Sequence, residues 1–294
     1  MKRTYIESHI FKAFSKMNGI IPQDEAGIIL SGLVFIKLYS SETWEKLKEL
    51  NDYSINLYIH DFFTNEKLSF NRIYDFKELD SKLLKALIII LDEADISIRG
   101  DVLGEIYNFC KSDDNRKIYG EHYTPYNVVK LLLNALDIKE DDILLDPCAG
   151  TGRMLTVAKK TLPFRNITFI GQEKNPIAWT LAQMSAFLYN MDLKIGNSPQ
   201  DALQEILGIS VEHVLMNPPF NQSYAQDLEI NSQIWDETTC RRSNLNFAWL
   251  QLALHYIKEN GDAAVILPQT SLSMQRKEDI AARRMIIENK YIEG

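Results

Sequence analysis

The sequence has little of several features that would settle its class at once. It has three cysteines among 294 residues, Cys110, Cys148 and Cys240, and no two of them form a C-x-x-C pair. Neither a disulfide framework nor a metal site follows from that number and spacing. The longest apolar run, at residues 26–36, falls short of the roughly 18 residues that a membrane-spanning helix needs. The N-terminus lacks the apolar core of a signal peptide, so we expect a cytoplasmic protein.

Positive charge is also in short supply. Lys and Arg total 32 against 40 Asp and Glu, which gives a formal net charge of -8. A protein that grips duplex DNA unaided usually has an excess of Lys and Arg, because neutralising phosphates supplies most non-specific affinity. The balance argues against DNA binding by this chain alone. It leaves open DNA chemistry in which a partner subunit supplies the grip.

Hydrophobic periodicity divides the chain into two parts. In the first part, apolar side chains recur at helical spacing. Two such stripes are Ile29, Gly32, Leu33 and Ile36, and Leu84, Leu87, Ile88 and Leu91. A charged, turn-rich segment at 111–120 follows and indicates a boundary. We therefore predict a helical N-terminal domain over residues 1–118 and a second domain over residues 119–294.

The second part alternates short strands with helical segments. The candidate strands are 143–146, 167–171, 193–195, 212–216 and 263–267. This pattern predicts a doubly wound, Rossmann-like α/β sheet. Ahead of the first strand, Thr124 as N-cap and Pro125 in the first turn predict a helix. Its predicted apolar stripe is Val128, Leu131, Leu132 and Ala135.

A glycine loop, DPCAGTGR at residues 146–153, joins the first strand to the next helix. Gly150 and Gly152 let the backbone turn sharply and approach a ligand closely, and the helix that follows points its free N–H groups toward that ligand. Glu173, at the end of the next strand, suits a carboxylate that accepts hydrogen bonds from ribose hydroxyls. A glycine turn beside a solvated glutamate is the structural alternative.

Two ligands fit this loop geometry, a dinucleotide and S-adenosylmethionine. The dinucleotide fingerprint requires a third small residue, and Leu155 fills that position here. The loop therefore favours S-adenosylmethionine, and Asp146 can meet an ammonium or hydroxyl group of an aminoacyl-type ligand.

NPPF at residues 217–220 follows the fourth strand, where open α/β sheets bind substrates. An exocyclic amine on a purine is a poor nucleophile because its lone pair is delocalised into the ring. The Asn217 oxygen and the Pro218 carbonyl can accept from both N–H bonds, and prolines hold that carbonyl fixed. Phe220 offers a face on which a flipped base stacks. A rigid loop without chemistry is the alternative.

DPCAGTG and NPPF, in this order and spacing, resemble the amino-group DNA methyltransferases. Further segments are similar to methylation subunits of type I restriction–modification systems. These segments are AGIILSGLVFIKLYS (26–40), LGEIYNFC (103–110), GEHYTPYNVV (120–129) and NFAWLQLALHYIKENGDAAVILPQTSL (246–272). The resemblance implies an S-adenosylmethionine-dependent enzyme that methylates adenine N6 in DNA. It also implies partners, namely DNA with a flipped adenine, a specificity subunit and, as a further candidate, a restriction subunit.

Site residues follow from the resemblance by position. Tyr123, Thr124 and Pro125 are expected at the methionine end of the cofactor, Asp146, Gly150 and Gly152 at its aminoacyl part, and Glu173 at its ribose. Asn217, Pro218, Pro219 and Phe220 are expected to hold the adenine. Asn197 stands where relatives have an aspartate near the cofactor adenine or target base, so it keeps an acceptor but loses the charge.

The chain ends at KYIEG, where relatives continue into a sixth strand. The resemblance therefore predicts a sheet truncated after its fifth strand, as in a shortened gene or a proteolytic fragment. Two other functions stay open. One is a non-catalytic assembly module that binds cofactor without turnover, which truncation favours and an intact NPPF opposes. The other is methylation of a different amine, such as a protein glutamine, which the N-terminal helices argue against.

Overall fold

The computed structural model describes residues 5–51, 53–64, 75–97, 101–111, 124–164, 166–223, 230–231 and 238–292. In chain order the helices and strands are α1 (Tyr5–Met17), α2 (Gln23–Tyr39), α3 (Ser41–Glu49), α4 (Tyr53–Thr64), α5 (Ser81–Asp92), α6 (Val102–Cys110), α7 (Tyr126–Ala135), β1 (Ile143–Asp146), α8 (Arg153–Thr161), β2 (Thr168–Gly171), α9 (Pro176–Leu188), β3 (Leu193–Lys194), β4 (Val211–Met216), α10 (Asn246–Tyr256), β5 (Ile257–Val265) and α11 (Lys277–Glu288). Short 3-10 turns lie at Phe76–Glu78 and Gln269–Leu272. Within the described ranges, no helix has the length and apolar character needed to cross a membrane.

The chain folds as two compact units, each built from separate stretches of sequence. The helical unit comprises Met1–Arg116, Gly150–Lys159 and Pro176–Met191, and the sheet unit comprises Lys117–Ala149, Lys160–Asn175 and Asp192–Gly294. These units are defined by packing. The division into domains at residue 118 stays a prediction.

The helical unit is organised around α2, whose mainly apolar sequence is buried over Ala26–Ile36. The two predicted apolar stripes are confirmed, since their members on α2 and α5 are buried. Lys37 ties these helices together, because its Nζ donates to the carbonyls of Leu91 at 2.6 Å and Ala94 at 2.7 Å. A cation at these carbonyls satisfies groups that a helix end leaves without partners.

The sheet unit contains a five-stranded sheet in the order β3-β2-β1-β4-β5. All neighbouring strands are parallel, which confirms the predicted Rossmann-like sheet. The strand order reverses between β1 and β4, and ligands of open α/β sheets bind outside the carboxyl ends of the strands at such a switch point. Asp146 ends β1, and Asn217 directly follows β4.

Two predicted elements differ from the structure. The helix α7 begins at Tyr126 without a side-chain cap, and Thr124 instead accepts a hydrogen bond from Asn217. Its apolar stripe is displaced by one residue, because Val129 and Leu133 are buried while Leu131 is 69% exposed.

Strand β5 starts at Ile257 and ends at Val265, rather than spanning residues 263–267. Its polar first half pairs with β4 across a register irregularity between Val211 and His213. The pattern of apolar residues in the sequence therefore did not indicate where this strand begins.

His213 on β4 fixes the edge of the sheet opposite the one that carries Asp146 and Asn217. It is buried, with Nε2 at 2.8 Å from Asp142 Oδ2 and Nδ1 bonded to Asp262 Oδ1. The two carboxylates also accept from backbone N–H groups, those of Lys139 and Asp137 respectively. These bonds tie the start of β1 to β4 and β5.

Candidate active site

Asp146, at the carboxyl end of β1, is a buried acid with an unfilled bonding position. Its exposed fraction is 1%, and its Oδ1 accepts from the Cys148 N–H at 3.1 Å. Its buried Oδ2 has no hydrogen-bond partner among the described residues. Burial, with the nearby charge of Glu173 adding to it, raises the pKa of Asp146 to about 7. A buried acceptor without a partner is costly, so this oxygen suits a donor from a ligand.

Glu173 follows β2 and is half-buried. Its Oε1 accepts from the Asn175 N–H at 2.6 Å, one residue before α9 begins. The preceding Gln172 is fully buried, and its Nε2 donates to the Glu205 carbonyl at 2.8 Å while its Oε1 accepts from the Tyr256 hydroxyl at 3.2 Å. The backbone that carries the Glu173 carboxylate is therefore held in place at both sides.

Gly150 and Gly152, where the sequence predicts a sharp turn, both have a left-handed backbone. Their φ angles are 55° and 81°, a region that favours glycine. A Cβ on Gly152 would lie 3.2 Å from the Ala182 Cβ, whereas a Cβ on Gly150 would have no described atom within 4 Å. Packing thus restricts Gly152, whereas no described atom restricts Gly150 in this way. Contact of either glycine with a ligand stays a prediction.

Asn217 is the residue in NPPF whose side chain is most clearly oriented. Its Nδ2 donates to Thr124 Oγ1 at 2.9 Å, and its backbone N–H donates to the Cys148 thiol. Its Oδ1 is buried and has no hydrogen-bond partner in the described part of the chain. The amide is thus fixed through its nitrogen, and its oxygen is left as an acceptor.

Cys148 is half-buried and lies beside this amide, near the carboxylates of Asp146 and Glu173. Burial raises the pKa of its thiol well above the ordinary value, and the charges of Asp146 and Glu173 raise it further. The thiol is therefore neutral at physiological pH. It contributes a weak acceptor for the Asn217 backbone rather than a nucleophile.

Three asparagines that sequence reasoning missed hold the end of the NPPF loop. Asn221 has a φ of 52°, and its N–H donates to Asn246 Oδ1 at 2.9 Å. Its side-chain oxygen accepts from Asn244 Nδ2 at 3.0 Å and from Asn246 Nδ2 at 3.2 Å. Asn246 is 1% exposed at the start of α10. The available signal was an asparagine directly after NPPF and an N-x-N pair at the start of a helix.

The remaining predicted residues are placed less specifically. Pro218 is buried, Pro219 and Phe220 are half-buried, and Pro125 is exposed. Asn197 is exposed, and within the described residues no hydrogen bond joins it to the other predicted positions. Tyr123 lies outside the described residues. The structure therefore brings together Asp146, Cys148 and Glu173, and it joins Asn217 to Thr124.

Comparison with known proteins gives a consistent result for this chain. A family model described as N-6 DNA Methylase matches residues 98–294. The chain is 30% identical over 232 residues to the type I restriction enzyme MjaVII methylase subunit of Methanocaldococcus jannaschii, covering 72% of this chain and 39% of that protein. It is 26% identical over 206 residues to the type I restriction enzyme HindI methylase subunit of Haemophilus influenzae, covering 66% and 46% respectively. The chain thus spans less than half the length of these relatives.

A solved structure supports the fold. The type I restriction-modification system methyltransferase subunit from Streptococcus thermophilus superposes with a TM-score of 0.62 at 16% identity, covering 96% of this chain and 78% of that one. At this identity the likeness concerns the fold alone.

Proposed function

Because this chain belongs to the N-6 DNA methylase family, we propose that it methylates the N6 amino group of adenine in DNA with S-adenosylmethionine. It does so as the methylation subunit of a type I restriction–modification system. The target adenine is flipped out of the duplex, since an enzyme cannot reach the amine within the base stack.

The oriented amide of Asn217 is the observation that carries this proposal. The bond from its Nδ2 to Thr124 leaves the buried Oδ1 as an acceptor. An adenine N–H donating to this oxygen, and a second N–H donating to the Pro218 carbonyl, draw the N6 lone pair out of conjugation with the ring. The amine then becomes nucleophilic without a protein base or nucleophile.

Asp146 and Glu173 support S-adenosylmethionine as the methyl donor. The buried Oδ2 of Asp146 fits an ammonium or hydroxyl donor, and Glu173 lies near enough to affect the pKa of that acid. The bound cofactor supplies an electrophilic methyl group. The proposed cofactor contacts also include Gly150, Gly152 and the segment Tyr123–Pro125. Asn197 lies, on this proposal, near the cofactor adenine or the target base.

Catalysis on this proposal comes from position and fixed acceptors rather than from covalent chemistry. Asn217 matters most as the amine becomes pyramidal and positive, because a fixed dipole needs no reorganisation at that moment. Phe220 acts earlier and contributes about 1–3 kcal/mol by stacking on the flipped base, which offsets part of the cost of unpairing.

The acidic composition supports a partner that grips the duplex. With a net charge of -8, the chain has no excess of cations to release the counterions of DNA. Its relatives are named as subunits, which supports assembly with a basic specificity subunit, and a restriction subunit is a further candidate.

The test is transfer of a labelled methyl group from S-adenosylmethionine to adenine in DNA, measured with and without the proteins that co-purify from the native host. We expect Asn217→Ala to lower the rate on the order of 100- to 1000-fold, as when one preorganised partner is removed. The calorimetric affinity for the demethylated cofactor should barely change. Asn289→Ala, at an exposed asparagine after α11, is the matched control and should keep the wild-type rate.

The outcomes separate the alternatives. An Asn217→Ala protein that methylates DNA at the wild-type rate removes the main support for the proposal. Cofactor binding without methyl transfer in any preparation identifies an assembly module instead. Transfer to a co-purified protein rather than to DNA identifies a different amine as the substrate.

A further inference from the structure

Asp101, the N-cap of α6, lies at the centre of a buried cluster within the helical unit. Its exposed fraction is 0%. Its Oδ1 accepts from the Gly104 N–H at 2.9 Å and from the Ser185 hydroxyl at 3.3 Å, and its Oδ2 accepts from the Thr151 hydroxyl. One carboxylate thus joins α6, α9 and the glycine loop.

The packing of this cluster leaves no room for a side chain at Gly104. A Cβ on Gly104 would lie 1.9 Å from Asp101 Oδ2 and 2.2 Å from Thr151 Oγ1. Every side chain is therefore excluded at Gly104, and the loop threonine packs directly on the first turn of α6. The glycine is required here by this close approach, because its φ is not in the left-handed region.

A second contact from α6 reaches the same loop one helical turn further on. Glu105 Oε1 lies 3.2 Å from Arg153 Nη1, and the Arg153 side chain is 8% exposed. Residues four apart on a helix lie on one face. One face of α6 thus holds two residues of the loop, Thr151 and Arg153, on either side of Gly152.

We propose that Asp101 is a positioning residue for methyl-donor binding, acting through Thr151 to hold the glycine loop in its binding conformation. This inference rests on the proposed function, because it concerns the loop assigned to the cofactor. Thr151 lies between two glycines with positive φ, which are the residues with the most backbone freedom to lose. Fixing the residue between them before the ligand arrives lowers the ordering cost at binding.

The magnitude follows from backbone entropy. Fixing one residue in a single backbone conformation costs about a factor of ten in an equilibrium constant. A loop that must order itself at binding therefore loses roughly 10-fold in affinity, since each 1.4 kcal/mol is a factor of ten. The rate of methyl transfer at saturating cofactor is not affected, because Asp101 acts before the chemical step.

Two variants of the chain separate positioning from stability. Thr151→Val and Ser185→Ala each remove one hydroxyl donor to the same carboxylate, but only Thr151 lies in the loop. We expect Thr151→Val to raise the Kd for S-adenosylhomocysteine about 10-fold by calorimetry, with an unchanged methylation rate at saturating cofactor. Ser185→Ala should stay within about twofold of wild type in Kd while lowering the melting temperature comparably. Thr151→Ser should recover most of the affinity.

Three results overturn the inference. A Thr151→Val protein with wild-type affinity does so directly. So does an equal loss of affinity in Ser185→Ala, because the cluster then acts only through stability. Wild-type protein that binds no S-adenosylhomocysteine refutes the proposed function, and the positioning role with it.

Discussion

Replacing Asp146 with asparagine should stabilise the ligand-free protein in a pH-dependent way. Burial raises the pKa of this carboxyl from 3.8 to about 7, so the folded chain binds its proton more tightly than the unfolded chain. The contribution of the carboxyl to stability is therefore fully present below pH 3.8 and is lost as the pH rises to about 7. Asparagine does not ionise, and the variant escapes this loss.

The size of the effect follows from the shift. One pKa unit corresponds to 1.36 kcal/mol, so the full penalty on the wild type is about 4 kcal/mol as an upper bound. The free energy of unfolding of Asp146→Asn minus that of the wild type should increase by about 2 kcal/mol when the pH rises from about 5.5 to about 8.5. Other titrating groups cancel in this difference, because both proteins contain them.

Urea denaturation at several pH values measures this difference. Asp137→Asn is the matched control, since Lys139 lowers the pKa of that exposed carboxyl. Asp137 is therefore ionised in both the folded and the unfolded chain across the window, and its replacement should add no pH dependence. The same Asp146→Asn protein should bind S-adenosylhomocysteine roughly 10- to 100-fold more weakly, because it loses a charged acceptor. A difference in stability that does not vary with pH refutes the raised pKa. Unchanged cofactor affinity refutes the role of Asp146 in the site.

Three further predictions address other parts of the site. Thr124→Val should slow DNA methylation roughly 10-fold, because the Asn217 amide loses the bond that orients it, while Thr124→Ser should stay near the wild-type rate; equal rates in both variants contradict this. Gly150→Val should leave circular dichroism native, because the added Cβ meets no described atom and the strain of a valine at this positive φ falls on a single loop residue. It should weaken cofactor binding at least about 10-fold, and calorimetry that finds the wild-type Kd would show the loop assignment to be wrong. The isolated chain should bind duplex DNA with a Kd above about 1 µM near physiological salt, and a gel shift showing tighter, salt-resistant binding contradicts the need for a basic partner.

The sequence predicted most of the fold because its strongest patterns are local. The stripes on α2 and α5 repeat at helical spacing and are buried as expected. Strand β5 was harder, since its first half reads as the polar turn sequence IKENGD. Pairing with β4, together with the bond between His213 and Asp262, places that segment in the sheet, and such long-range contacts leave no periodic signal.

The candidate site shows the same limit at the level of single residues. Motifs located Asp146 and Asn217, because turn residues after a strand indicate the carboxyl edge of a sheet. Thr124 was expected to cap α7, since threonine before proline is typical of a helix start. Its hydroxyl bonds to Asn217, 93 residues away. The asparagines around Asn221 were missed for the same reason, as their meaning depends on a contact 25 residues further along the chain.

The discontinuous helical unit has a consequence for synthesis of the protein. Its hydrophobic core includes Leu181 and Met184 on α9, although its first segment ends at Arg116. A ribosome that adds about 5–20 residues per second needs roughly 3–14 seconds to make the chain between these points. During that interval the N-terminal helices present the apolar surface that α9 later covers. The nascent chain therefore has a defined period in which chaperone binding to this surface competes with aggregation.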